Sequence, residues 1–111
     1  MESIVEHTLL YDFYGELLTE HQKRIYELYL DDLSLSEIAE EIGISRQGVH
    51  DLIRRCNKIL ADYEEKLRLV MKFTAARDKA DEIHRLANSD KTGNPIIKKI
   101  ESLSVEMLDV F

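Results

Sequence analysis

Apolar residues recur every three or four positions along almost the whole chain, which is the period of an α-helix. Only four glycines and one proline interrupt the 111 residues, and no alternating pattern of useful strand length occurs. With 44% hydrophobic residues, a chain of this length can bury one ordinary core but not two. The sequence therefore predicts an all-α fold built around one main core.

Two capping boxes mark the starts of helices in the first half of the chain. Thr19 with Gln22, and Ser34 with Glu37, have the spacing at which a hydroxyl and a side-chain carbonyl oxygen satisfy free backbone N–H groups. Helices are expected to begin at these points. A first helix is expected before them, over about residues 3–17, with Ile4 and Leu17 on its apolar face together with Phe13 and Leu9 or Leu10.

The longest apolar stripe follows Ser45 and repeats by four and three positions. It is formed by Val49, Ile53, Cys56, Leu60, Tyr63, Leu67 and Val70. A heptad stripe of this length predicts packing on the C-terminal segment or on a second subunit, so a homodimer is one open prediction.

The helical period continues beyond this stripe, after a bend expected near Thr74. Turn formers at residues 88–95 mark the clearest loop, and a last helix is expected over about residues 96–110. We therefore divide the chain into a helical domain, residues 1–72, and a C-terminal helical extension, residues 73–111, which is a candidate oligomerisation segment.

The segment of about residues 34–58 has the pattern of a helix-turn-helix. Ala39 is small where two helices must approach closely, and Gly43 can adopt the left-handed conformation that ends the first helix. Val49 is expected to fill the angle between the helices, and Ser45 to cap the second one. Any helical hairpin can carry such a cap and glycine, but their joint occurrence in one register favours the helix-turn-helix.

In a helix-turn-helix, exposed residues early in the second helix meet base edges, and later basic residues meet the DNA backbone. The predicted DNA-binding residues are Ser45, Arg46, Gln47, His50, Arg54, Arg55 and Lys58. Arg46, Gln47 and His50 are the early residues, and Arg54, Arg55 and Lys58 are the later basic ones. Arg46 can read guanine, and Gln47 can read adenine. The cap at Ser45 leaves other N–H groups of the helix start free to face a phosphate.

The charge of the chain is unevenly distributed. The total is −7, which disfavours binding to phosphate in general. Residues 1–33 hold eight acidic and two basic side chains, whereas residues 34–61 hold four of each. From Ser45 to Lys58 there are four basic side chains, Arg46, Arg54, Arg55 and Lys58, and one acidic side chain, Asp51. A small basic surface can therefore persist on an acidic protein.

Several segments resemble the YlxM family of small bacterial proteins. The matching motifs are Tyr11-Asp12-Phe13-Tyr14, Leu18-Thr19-Glu20, Leu28-Tyr29, the Ser34 to Val49 core, and Tyr63-Glu64-Glu65-Lys66-Leu67. The resemblance covers roughly residues 5 to 75. The middle segment is also similar to region 4 of sigma factors, which reads a promoter element through a helix-turn-helix, a fold like a winged helix without its wing.

The resemblance implies a DNA-binding regulatory protein. Genes of the family tend to lie beside those of the signal recognition particle GTPases, so the resemblance also implies a part in that protein-targeting pathway, or its regulation, and a link to its components. An alternative stays open: a helical interaction module that has kept the scaffold without DNA and contacts a protein or ribonucleoprotein.

The remaining side chains indicate neither an enzyme nor a bound cofactor or metal. The four histidines lack metal-site spacing, Cys56 lies on the apolar stripe, and no nucleophile elbow, glycine-rich phosphate loop or zinc-binding helix motif occurs. There is also no run of 18 apolar residues, and the first ten residues lack a basic leader. A cytoplasmic location is expected.

Overall fold

The computed structural model describes residues 4–110, and within this range all regular structure is helical. The helices are α1 (Ile4–Tyr14), a short 3-10 helix (Gly15–Leu17), α2 (Glu20–Leu30), α3 (Leu35–Ile42), α4 (Arg46–Leu67), α5 (Leu69–Asn88) and α6 (Pro95–Val110). They form two compact units, the first ending at Val70 and the second beginning at Met71. None of the helices in the described range is long and apolar enough to cross a membrane.

In the first unit, α1, α2 and α3 all pack against α4. The buried side chains of this unit's core are Tyr14, Leu18, Ile25, Tyr26, Ile38, Val49, Ile53, Cys56 and Leu60. The four buried residues from α4 are the first four of the predicted heptad stripe, so this stripe forms the centre of the core.

Both predicted capping boxes are present. The Thr19 hydroxyl accepts a hydrogen bond from the Gln22 N–H at 3.1 Å, and the Gln22 side chain accepts one from the Thr19 N–H at 2.9 Å. Ser34 and Glu37 exchange the same pair of bonds at 3.1 and 2.9 Å. The N–H of Ser34 also stabilises the charged form of the Glu37 carboxylate, so the pKa of Glu37 is lowered. The starts of α2 and α3 are thus confirmed.

The end of the first helix differs from the prediction. α1 stops at Tyr14, and the next three residues form a tighter 3-10 turn. Because such a turn has three residues rather than 3.6, it rotates the following side chains. Leu17 is therefore 56% exposed, and Leu18 takes the buried position instead. Ile4, also expected on the apolar face, is 45% exposed.

The bend expected near Thr74 lies instead at Arg68. Arg68 adopts the left-handed conformation, with φ of 55°, and its N–H donates to the Glu64 carbonyl at 2.8 Å. Leu67, a predicted member of the buried stripe, is 46% exposed because α4 ends there.

Side chains from α1 and α4 satisfy the start of α5. The Leu69 N–H donates to the Tyr14 hydroxyl oxygen at 3.1 Å, and the Val70 N–H donates to the Glu64 carboxylate at 3.0 Å. The Tyr14 hydroxyl in turn donates to the same carboxylate oxygen at 2.6 Å. Two N–H groups that would otherwise lack a helical partner are thereby bonded.

The second unit contains most of α5, the loop after it, and α6. Between Met71 and Val110, its buried residues are small: Ala80, Ala87 and Ser104. His84 Nδ1 lies 3.3 Å from the Ser104 hydroxyl, which links α5 to α6. The Asn94 side chain accepts from the Ile96 N–H at 2.9 Å and so caps the last helix. This unit therefore has little core of its own.

Candidate nucleic-acid interface

The turn between α3 and α4 depends on Gly43. This residue has a φ of 84°, and its N–H donates to the Ala39 carbonyl at 2.9 Å, while the Ile44 N–H reaches the same carbonyl at 3.2 Å. A Cβ at position 43 would meet nothing within 4 Å, so the backbone conformation, and not the space, requires glycine. Ile38 and Val49 are fully buried on the two sides of the turn. The pattern of the sequence thus forms a helix-turn-helix.

Ser45 caps α4 as predicted. Its hydroxyl oxygen accepts a hydrogen bond from the Gly48 N–H at 2.9 Å. The N–H groups of Arg46 and Gln47 belong to the first turn and have no carbonyl one turn earlier in the helix to bond. The exposed start of α4 therefore offers N–H groups to an anion.

All seven predicted site residues are exposed, and all belong to α4 or its cap. Arg46, His50, Arg54 and Lys58 are spaced by four residues, so they form one basic ridge along the helix. A second row holds Gln47, Asp51 and Arg55. Both rows lie away from the buried stripe of the same helix, so the structure brings the predicted residues together on one accessible face.

Asp51 is the acidic residue within this face. Its carboxylate accepts a hydrogen bond from the Gln47 amide at 2.9 Å and lies 3.6 Å from His50 Nδ1. Among residues 4–110, Arg46, Arg54 and Arg55 form no ion pair. The three guanidinium groups therefore remain available to a ligand.

Lys58 lies at the far end of the ridge and is already partly neutralised. Its ammonium is 3.3 Å from the Asp62 carboxylate, and both side chains are largely exposed. A surface pair of this kind is weak, so a phosphate can compete for the lysine. Further away, Glu16 and Glu20 of the acidic N-terminal segment contact Lys23, at 2.9 and 3.5 Å.

Sequence reasoning missed one neighbour of the face. A groove beside α4 is lined by Gly48, Asp51, Leu52 and Arg55 on one side and by Thr19, His21 and Gln22 on the other. His21 is exposed at the start of α2 and thus borders the face near Arg55. No local pattern could have indicated this, because the packing of α2 on α4 brings the two residues together.

Comparison with known proteins agrees with this architecture. Residues 1–101 match the family model described as "Putative helix-turn-helix protein, YlxM / p13 like". The protein YlxM of Bacillus subtilis is 44% identical over 110 residues, which cover 98% of each chain. The relative ABC2295 of Shouchella clausii is 47% identical over 98 residues, covering 85% of this chain and 90% of its own. The chain belongs to the YlxM/p13-like family of helix-turn-helix proteins.

Proposed function

We propose that the protein is a DNA-binding regulatory protein whose α4 enters the major groove. The observation that carries the proposal is the exposed ridge of Arg46, His50, Arg54 and Lys58, together with the three arginines that lack an ion pair within residues 4–110. Non-specific affinity is expected to be poor because the total charge is −7. Binding would therefore depend on this local face.

Different roles follow from position along α4. Arg46, Gln47 and His50 stand at its start and would meet base edges, as the early residues of recognition helices do. For Gln47 to read adenine, its amide must leave the Asp51 carboxylate, which the exposure of both side chains permits. Arg54, Arg55, Lys58 and the Ser45 cap would contact phosphates.

The resemblance to the YlxM family supports a place for this activity in the signal recognition particle pathway. Regulation of that pathway through DNA, or contact with its components, would be the biological outcome. A homodimer would present a second recognition helix and so match paired half-sites.

DNA binding is tested by titrating labelled genomic fragments with the full chain at low and moderate salt. We expect binding at micromolar protein and a decline in affinity as salt increases. Arg54→Ala and Arg55→Ala should each weaken binding to all fragments and reduce the salt slope by about one. Lys66→Ala is the matched control, since Lys66 is exposed on the last turn of α4 and should change the slope little. If no fragment binds even at low salt, the proposal is wrong.

The acidic total charge favours a second candidate, the interaction module without DNA. Affinity capture from a native extract distinguishes the two. Stoichiometric recovery of one protein or RNA, without DNA and without an effect of Arg54→Ala, would support the module and contradict the DNA proposal.

A further inference from the structure

The last helix carries a heptad repeat of exposed apolar side chains. Its members are Ile96, Ile100, Leu103, Met107 and Val110, which repeat by four and three positions and are between 38% and 82% exposed. Such a repeat is the seam of a two-stranded coiled coil, in which these side chains are normally buried against a partner helix. We call these five residues the α6 seam.

The α6 seam borders the side of α6 that faces α5, and Ile100 belongs to both. Ser104, which directly follows Leu103, is fully buried and lies 3.3 Å from His84 of α5. Next to it, Ile83 and Leu86 of α5 and Ile97 and Ile100 of α6 line an apolar groove of about 280 Å³. The open seam and this groove together form one apolar face of the second unit.

The charges beside the seam are self-complementary. Lys99 and Glu106 stand seven residues apart, so both occupy the same heptad position flanking the seam. When two such helices pair in antiparallel orientation, this heptad position of one helix lies next to the same heptad position of the other. Lys99 of one copy would then face Glu106 of the other, twice over by the two-fold symmetry. Within residues 4–110, neither side chain has an ion-pair partner.

A parallel pair would lack this match. In a parallel pair, Lys99 and Glu106 of one helix would face the opposite flank of the seam on the other helix. Ile97 and Ser104 occupy that flank. Neither of those residues carries a charge. The sequence of α6 therefore fits a second copy of itself, running in the opposite direction.

We propose that α6 of two copies pairs as an antiparallel coiled coil. In this register Ile100 packs on Leu103 of the second copy, Ile96 packs on Met107, and Lys99 pairs with Glu106. The proposal does not depend on DNA binding, because all of these residues lie in the second unit.

Sedimentation equilibrium of the full chain over a dilution series tests the seam. The wild-type protein should approach twice the chain mass of 13.0 kDa at the higher concentrations. Leu103→Asp places a charge in the centre of the seam and should give a monomer throughout. Val105→Asp is the matched control, since Val105 is exposed on the same helix but outside the seam, and it should still dimerise. A monomeric wild type, or a dimer that persists in Leu103→Asp with its helical circular dichroism retained, would overturn the proposal.

A charge exchange tests the register. Lys99→Glu and Glu106→Lys each replace two attractive pairs with two repulsive ones, and each should increase the dimer Kd by about tenfold. The double variant, Lys99→Glu with Glu106→Lys, restores the match and should return the Kd to near the wild-type value. Single variants that leave the Kd unchanged, or a double variant as weak as the singles, would show that the antiparallel register is wrong.

Discussion

Gly15 lets the Tyr11 ring of α1 pack directly against the backbone, because glycine has no side chain. A Cβ at this position would lie 2.8 Å from two ring carbons of Tyr11, which is too close for any real contact. The Tyr11 ring stacks on Tyr26 at a centroid distance of 5.5 Å, so it cannot move without disturbing the core. Gly15→Ala should lower the free energy of unfolding by roughly 1 to 3 kcal/mol, measured by urea denaturation.

A double-mutant cycle separates this clash from any change in helix propensity. In a Tyr11→Ala background the ring is gone, so Gly15→Ala should no longer destabilise the protein. An equal loss in both backgrounds would mean that the ring is not the cause.

The buried thiol of Cys56 makes the free energy of unfolding vary with pH in the alkaline range. Burial raises the pKa of this thiol to about 11, and the nearby Arg55 lowers it by less. Between its ordinary pKa near 9.0 and this raised value, the unfolded chain releases a proton that the folded protein keeps. Stability is therefore retained at lower pH and falls as the pH rises through this window. Tyr11, whose burial raises its pKa to about 12, acts in the same direction at higher pH.

Urea unfolding from pH 8 to about pH 10.5 checks this dependence. Cys56→Ala removes the thiol and should make the decline with pH shallower, although the variant starts from a lower stability because it leaves a cavity. A decline of the same steepness in both proteins would contradict the role of Cys56.

At the scale of elements, the sequence predicted the helix ends whose causes are local. The boxes at Thr19 and Ser34 and the turn at Gly43 each involve residues within a few positions, and all three are confirmed. The break at Arg68 was missed because arginine rarely takes the left-handed conformation and no glycine marks the site. The break is stabilised by a residue far away in the sequence, since Tyr14 lies 50 residues before the Glu64 to which it donates a hydrogen bond.

In the candidate site, too, features with local causes were predictable from the sequence and features that depend on tertiary packing were not. The shared exposure of the seven predicted residues could be foreseen because one helix and its cap carry them all, at spacings that fix their faces. The Gln47–Asp51 hydrogen bond and the proximity of His21 depend on rotamers and on the packing of α2, which no helical period encodes.

Tyr14→Phe tests whether the distant hydroxyl holds the α4–α5 junction. It removes the donor to Glu64 and the acceptor for the Leu69 N–H, so the Leu69 amide should exchange hydrogen faster. Loss of these bonds at a buried site should also cost about 1 to 3 kcal/mol of unfolding free energy. Tyr63→Phe is a matched control, because Tyr63 stacks on Tyr14 at 6.0 Å and its hydroxyl has no hydrogen bond within residues 4–110. Equal effects of the two substitutions would contradict the role of the hydroxyl.

At the scale of the whole molecule, the two units differ in how much apolar surface they bury by themselves. Every member of the large core cluster lies between Tyr14 and Leu60, and the half-buried side chains packed against it extend only to Val70. As far as Val110, the second unit buries two alanines and a serine and leaves the five residues of the α6 seam exposed. Because burial of apolar surface is the main favourable term in folding, the first unit should hold its fold alone and the second should not.

Two fragments test this difference. The chain ending at residue 72 should unfold cooperatively on heating, with helical circular dichroism and one transition seen by every probe. The fragment 73–111, kept dilute, should have little helix, since two short helices without a core cannot offset the conformational entropy that folding removes. Its helicity should increase with its concentration if the α6 seam associates, because mass action couples folding to dimerisation. A fragment 73–111 that is fully helical at any dilution would show that the second unit folds without a partner, and a fragment 1–72 that melts without cooperativity would show that the first unit needs the second.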